Sequence, residues 1–159
     1  MRTKKPTVDA RGLIVSEVET VYITKIKNSE LKKITKSSEC ANIFRSIPEY
    51  AENIDYCEYF YAMYLNRANA VLAVMKISMG SSTGSIVNIQ KIIKSALDFN
   101  AKSVVISHNH PSGNLTASNE DINVTKKIKN ALSFFEMNLL DHIILSSESY
   151  YSFVDNGEI

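Results

Sequence analysis

The run Ile106-Ser-His-Asn-His-Pro-Ser-Gly-Asn-Leu-Thr-Ala-Ser-Asn-Glu-Asp121 decides how this chain is read. An apolar segment ends in two histidines, His108 and His110, one residue apart. Pro111-Ser-Gly113 then turns the chain, and Ser118 and Asp121 stand where a helix begins. In extended backbone, residues i and i+2 point to the same face, so both imidazoles converge without special loop geometry. Asp121 lies three residues before Val124 and extends the apolar stripe of the coming helix, which turns it inward. A carboxylate on a core-facing stripe needs a partner. Catalytic zinc sites draw three ligands from His and carboxylates and leave a fourth position open, and His108, His110 and Asp121 are such a set. Two plainer roles compete: Ser118 with Asp121 is also a capping box, and two strand histidines also make a hydrogen-bonded pair. The combination of all four residues favours a metal.

The flanks of this run fix the fold class. Upstream, alternating β-branched residues over 15–27 predict a first strand after a polar, basic leader. Ser37 and Ser38 are expected to cap a short helix over 38–46 that Pro48 ends. Residues 59–66 and 70–78 are two strands joined by a short connection, hence a hairpin. Ile89, Ile92, Ile93, Ala96 and Leu97 have the spacing of an amphipathic helix over 88–99. Residues 103–107 form a short buried strand. A second long helix is expected over 118–136, with Val124, Ile128, Ala131 and Phe135 on one face. Strands at 139–145 and 150–154 close the chain. Strands and helices alternate from residue 59 onward, which predicts an α/β domain with helices against the sheet. His142, the remaining histidine, sits in an apolar strand and is expected to be a core residue bonded to Asp141 or to backbone.

Composition narrows the classes of function. The chain has 159 residues, 45% of them hydrophobic, which suits one globular domain. A net charge of +1 gives no electrostatic reason for a nucleic-acid partner. The lysines between Lys25 and Lys36 lack interleaved aromatic residues and read as a solvated loop. Cys40 and Cys57 have no Cys-x-x-Cys partner, which excludes thiolate zinc sites and fits a reducing, cytoplasmic setting. No apolar run reaches the roughly 18 residues of a membrane span, and a signal peptide is not expected. The glycines of 79–85 lack the spacing of a phosphate-binding loop.

The spacing His108-x-His110, seven residues, Ser118, two residues, Asp121 resembles the JAMM motif of the JAB/MPN metalloprotease superfamily. His108-Asn-His-Pro-Ser-Gly113, Leu140-Asp-His-Ile143 and Tyr151-Ser-Phe153 together resemble its RadC-like branch. The resemblance covers roughly Ser38 to Gly157. It divides the chain into a leader and first strand at 1–36 and a RadC-like JAB/MPN domain at 37–159. It implies a cytidine-deaminase-like mixed sheet flanked by helices, and a zinc-dependent hydrolase of peptide or isopeptide bonds. His108, His110 and Asp121 would bind Zn2+, Ser118 would stabilise the oxyanion, and Glu58 would be the general acid/base. Longer relatives carry a helix-hairpin-helix segment associated with DNA, which this chain is expected to lack. That weakens a link to DNA; the alternative reading, supported by the family resemblance and the Lys126-Lys-Ile-Lys129 run, is a non-enzymatic metal-binding module associated with DNA repair or DNA processing.

Departures from the pattern bear on the substrate and not on the ligands. Asn88-Ile-Gln-Lys91 stands where the family often has a His-Pro-Arg-Glu-like sequence, and Ala117 where it has proline. Deaminase chemistry needs His-x-Glu with Pro-Cys-x-x-Cys, and neither is present. The substrate, expected to be a peptide or protein, and the oligomeric state are not legible.

Overall fold

The computed structural model describes residues 7–8, 14–15, 26–80 and 87–159. In chain order these residues contain β1 (Thr7–Val8), β2 (Ile14–Val15), α1 (Ser37–Arg45), α2 (Pro48–Asn53), β3 (Glu58–Leu65) and β4 (Val71–Gly80). There follow α3 (Ile89–Asp98), β5 (Ser103–Asn109), α4 (Asn119–Ser133), β6 (Asn138–Leu145) and β7 (Tyr150–Ser152). β1 and β2 pair antiparallel with each other. Most of the strand expected over 15–27 lies outside the described residues, as does the loop over 81–86.

The sheet follows from Glu58-Tyr-Phe-Tyr-Ala-Met-Tyr-Leu65, a strand apolar on both faces, as strands covered on both sides are. Successive side chains point to opposite faces. Tyr59, Tyr61, Met63 and Leu65 enter a core layer with Phe44 and Tyr50 from α1 and α2. Phe60, Ala62 and Tyr64 enter a second layer with Ile92 and Ala96 of α3 and Ile128 and Leu132 of α4. Among the described residues, five strands form this sheet in the order β4-β3-β5-β6-β7. β5 and β6 run parallel, and the other neighbours antiparallel. The result is a single mixed α/β domain with helices on both faces, as the alternation of elements predicts.

Two consequences of this topology place the site. A parallel pair needs a crossover, and α4 is that crossover, so its N-terminus follows directly from the C-terminal end of β5. β3 is antiparallel to β5, so its first residue, Glu58, lies at that same end of the sheet. Phe60 pairs with His108, which puts Glu58 one step beyond His108 toward His110. Sites in α/β sheets form at the carboxyl ends of parallel strands for the same reason.

A bulge in β6 sets a third feature. Val104 pairs with Leu139 and Val105 with Asp141, so Leu140 is an extra residue. Leu139 belongs to the α4 layer, whereas Leu140, Ile143 and Leu145 pack in the α1 layer. The bulge thus changes the parity of the strand and turns His142 toward α4, with Asp141 on the opposite face. Without it, the period of two would exchange them.

The local expectations needed several corrections. Ser37 and Ser38 do not cap α1. Lys36 is its N-cap with no side-chain cap bond, and Glu39 instead accepts from the Thr35 N–H at 2.7 Å. Pro48 does not simply end that helix. It occupies the first turn of a second short helix, α2, where its missing N–H costs nothing. α3 buries Ile92, Ser95 and Ala96, leaving Leu97 54% exposed. α4 stops at Ser133, so Phe135 is not on its buried stripe. That stripe is Thr125, Ile128 and Leu132.

Asn109, between the two histidines, faces the other way and is fully buried. Its Oδ1 accepts from the Tyr59 N–H at 2.8 Å. Its Nδ2 donates to the carbonyls of Ile54 and Cys57 at 2.6 and 2.8 Å. One side chain thereby ties the segment entering β3 to the end of β5. Replacing it by alanine would leave buried backbone groups unpaired, each at roughly 1–3 kcal/mol. Asn109→Ala is predicted to lower the denaturant midpoint by an amount corresponding to about 2 kcal/mol or more, with an unchanged m-value.

Candidate metal centre

His108 is the last residue but one of β5, and His110 follows where its backbone N–H still bonds the Leu145 carbonyl at 3.1 Å. The i, i+2 spacing brings their Nε2 atoms to 2.9 Å, as the sequence predicts. The turn that follows is closed by the Gly113 N–H on the His110 carbonyl at 2.9 Å. Gly113 has φ +76, a left-handed backbone that favours glycine. The chain then enters α4, whose N-cap is Ser118.

Asp121 serves the helix and the histidines together. Its Oδ2 accepts from the Ser118 N–H at 2.8 Å and from the Ser118 hydroxyl at 2.7 Å. The Ser118 Oγ accepts in turn from the Asp121 N–H at 3.1 Å, completing the capping box. Its Oδ1 lies 3.1 Å from His108 Nε2, and Oδ2 lies 3.5 Å from His110 Nε2. The capping box is present, and Oδ1, which takes no part in it, faces His108.

The donor set fits a zinc ion. Zinc–ligand bonds of about 2.0–2.1 Å at tetrahedral angles put ligand atoms about 3.3 Å apart, and the observed 2.9, 3.1 and 3.5 Å bracket that value. His110 donates Nδ1–H to the Asn114 carbonyl at 2.5 Å, which leaves the electron pair of Nε2 facing the cluster. Among the described residues, His108, His110 and Asp121 are the His/Cys/Asp/Glu group placed to hold a metal ion.

Electrostatics of the metal-free site follow from this crowding. Burial alone would raise the Asp121 carboxyl, but the hydrogen bonds that His108 and His110 make to it when Nε2 carries a proton outweigh burial and hold it well below its ordinary 3.8. The Asp121 hydrogen bond raises His110 above its ordinary 6.5, against burial. Burial raises Glu58, and the neighbouring His108 and His110 offset part of that. Glu58 is therefore half-buried at the start of β3 and within the field of both imidazoles. It does not belong to the three-residue ligand cluster.

Sequence reasoning missed what stands behind His108. His142, fully buried, does not bond Asp141 or backbone through its ring, as had been expected. Its Nε2 lies 2.8 Å from His108 Nδ1, and its Nδ1 lies 2.6 Å from the Thr125 hydroxyl. Asp141, on the opposite face, accepts the His142 backbone N–H at 2.7 Å, together with the Ser152 hydroxyl and the Val154 N–H. The His142 ring is stacked on Phe153, with centroids 4.6 Å apart, and Phe60 is stacked on His108. Thr125 could have been found: it lies one helical turn after Asp121, a polar residue on the buried stripe. The partner of His142 could not, because the β6 bulge has no sequence signature.

Comparison with known proteins agrees with this geometry. The model of a family described as the RadC-like JAB domain matches residues 34–158. The chain is 38% identical over 128 residues to a UPF0758 protein of Flavobacterium johnsoniae, covering 80% of this chain and 54% of that one. It is 35% identical over 144 residues to a UPF0758 protein of Fusobacterium nucleatum, covering 87% and 60%. A UPF0758 protein of Neisseria meningitidis is 42% identical over 96 residues, covering 60% and 43%. The chain thus spans about half the length of the relatives it matches. No helix among the described residues is long and apolar enough to cross a membrane.

The sign of the pH response follows from the two opposite shifts. A carboxyl depressed on folding contributes stability that is present above its ordinary 3.8 and is lost as pH falls. An imidazole raised on folding contributes stability that is fully present below 6.5 and is lost as pH rises through its folded value. The metal-free protein is predicted to be most stable between these limits. Asp121→Asn should flatten both limbs in thermal unfolding measured against pH.

Proposed function

Because the chain belongs to the RadC-like JAB domain family, we propose that it is a zinc-dependent metallohydrolase of the JAMM type, cleaving peptide or isopeptide bonds. The observation that carries this reading is the convergence of His108 Nε2, His110 Nε2 and the Asp121 carboxylate on one point beside a half-buried glutamate. These three residues would hold the ion. When bound, zinc supplies a Lewis acid and makes water acidic enough to lose a proton near neutral pH.

The chain's own groups supply the rest. Glu58 takes a proton from the attacking water and returns it to the leaving amine. Its raised carboxyl suits that exchange, because a general base works best with a pKa near the working pH. Ser118 turns its hydroxyl from Asp121 Oδ2 to the developing oxyanion. Phe60 and Phe153 pack against His108 and His142 and keep water away from the buried side of the site, behind His108. The substrate is a peptide or protein. The two free cysteines, Cys40 and Cys57, suit a reducing cytoplasmic setting.

The DNA-associated alternative gains nothing from the surface of α4. Lys126, Lys127 and Lys129 are exposed on its outer side, the wet face of an amphipathic helix. Zinc content per chain, measured by elemental mass spectrometry on untagged protein, is predicted to be one in the native chain and none in His108→Ala. With peptide and isopeptide substrates, Glu58→Gln should lower turnover about 10²–10⁴-fold while zinc is retained. Retained zinc with no hydrolysis in the native chain, and a DNA affinity falling steeply with salt, would overturn the proposal in favour of the binding module.

A further inference from the structure

The bonds behind His108 have a direction, and that direction starts at a group that cannot vary. The Thr125 hydroxyl lies 2.5 Å from the Asp121 main-chain carbonyl, one helical turn earlier. A carbonyl has no proton, so the hydroxyl must donate to it. A hydroxyl has one proton to give. Toward His142 Nδ1, at 2.6 Å, Thr125 therefore accepts, and His142 carries its proton on Nδ1. The ring is wholly enclosed, 0% exposed, and in its neutral form it has no second proton to give. Its Nε2 then bears an electron pair, which accepts from His108 Nδ1–H at 2.8 Å. What remains on His108 is a bare Nε2, aimed at His110 and Asp121.

We infer that Thr125 and His142 are positioning residues that lock His108 in the tautomer a metal requires, with the tautomer dictated by the helical carbonyl of Asp121. This deepens the metal-site reading and rests on it. Residue 121 then acts on the site twice, through its side chain as a ligand and through its carbonyl as the start of the relay. The relay is dry: Thr125 is 3% exposed, His142 0% and His108 1%, so no solvent competes for these protons. Buried polar chains of this kind are costly when one partner is removed. Partners that orient ligating histidines typically contribute 10–100-fold in metal affinity.

The relay is read directly from imidazole 15N shifts in long-range proton–nitrogen spectra of the metal-free protein, well above the ordinary histidine pKa. The expected pattern is a protonated Nδ1 and a bare Nε2 on both His108 and His142. Thr125→Val, which keeps the shape and removes the hydroxyl, should mix the tautomers of both rings. It should also weaken zinc, measured by competition with a chromophoric chelator, about 10–100-fold. Thr125→Ser should restore both readouts, which a loss of packing alone would not explain. His142→Phe, which fills the space against Phe153, should weaken zinc to a similar degree. A native His108 protonated on Nε2 would overturn the inference. So would a Thr125→Val protein with native zinc affinity and an unchanged nitrogen pattern. If the native chain bound no zinc, the hydrolase reading would fail while the nitrogen pattern of the metal-free protein still decided the relay.

Discussion

Everything at this site depends on one carboxylate held by its own helix. Asp121 is fixed by Ser118 in a capping box, and this leaves Oδ1 free to face His108. A side chain so restrained loses little further entropy when it becomes a ligand. The histidines are restrained in the same way: His110 by the Asn114 carbonyl, and His108 by His142. Three electron-rich groups crowd into a small volume, and their mutual repulsion is relieved by a cation. The same crowding depresses the Asp121 carboxyl and raises the His110 imidazole.

The sheet determines that these groups meet at all. α4 is the crossover between parallel strands, so its first turn lies beside the last residues of β5. The antiparallel pairing of β3 brings Glu58 to the same end of the sheet. Asn109 ties the two strands together from the opposite face. The histidines, the carboxylate and the glutamate are thus delivered by three elements whose relative placement is set by backbone hydrogen bonds. A small side-chain cluster gains precision from this, since regular elements move less than loops.

The environment on the two sides of the cluster differs. Behind His108, His142, Thr125, Phe60 and Phe153 form a dry wall in which proton positions are fixed. In front, His110 and Asp121 are partly open to solvent, and Glu58 is half-buried. That asymmetry leaves the cluster fixed on its buried side and open to solvent on the other.

Much of this was legible in the sequence because it is local. The apolar run of 59–66, the i, i+2 histidines, the glycine turn and the Ser118/Asp121 pair depend only on near neighbours. They sufficed for an α/β domain and for a candidate His-His-Asp metal site. Other features were decided by tertiary structure. The end of α4 and the exposure of Leu97 and Phe135 depend on which face each helix turns to the sheet. The capping of α1 depends on where Ser37 finds better partners, in Asp155 and Tyr150. The role of His142 depends on a single bulge at Leu140, which exchanges the faces of Asp141 and His142 at no cost visible in composition. Sequence alone pointed to the residues that come together as a candidate metal site, because their spacing along one strand and one helix turn is short-range. Only the packed sheet decided which nitrogen His108 presents, because its proton is placed by partners 17 and 34 residues away.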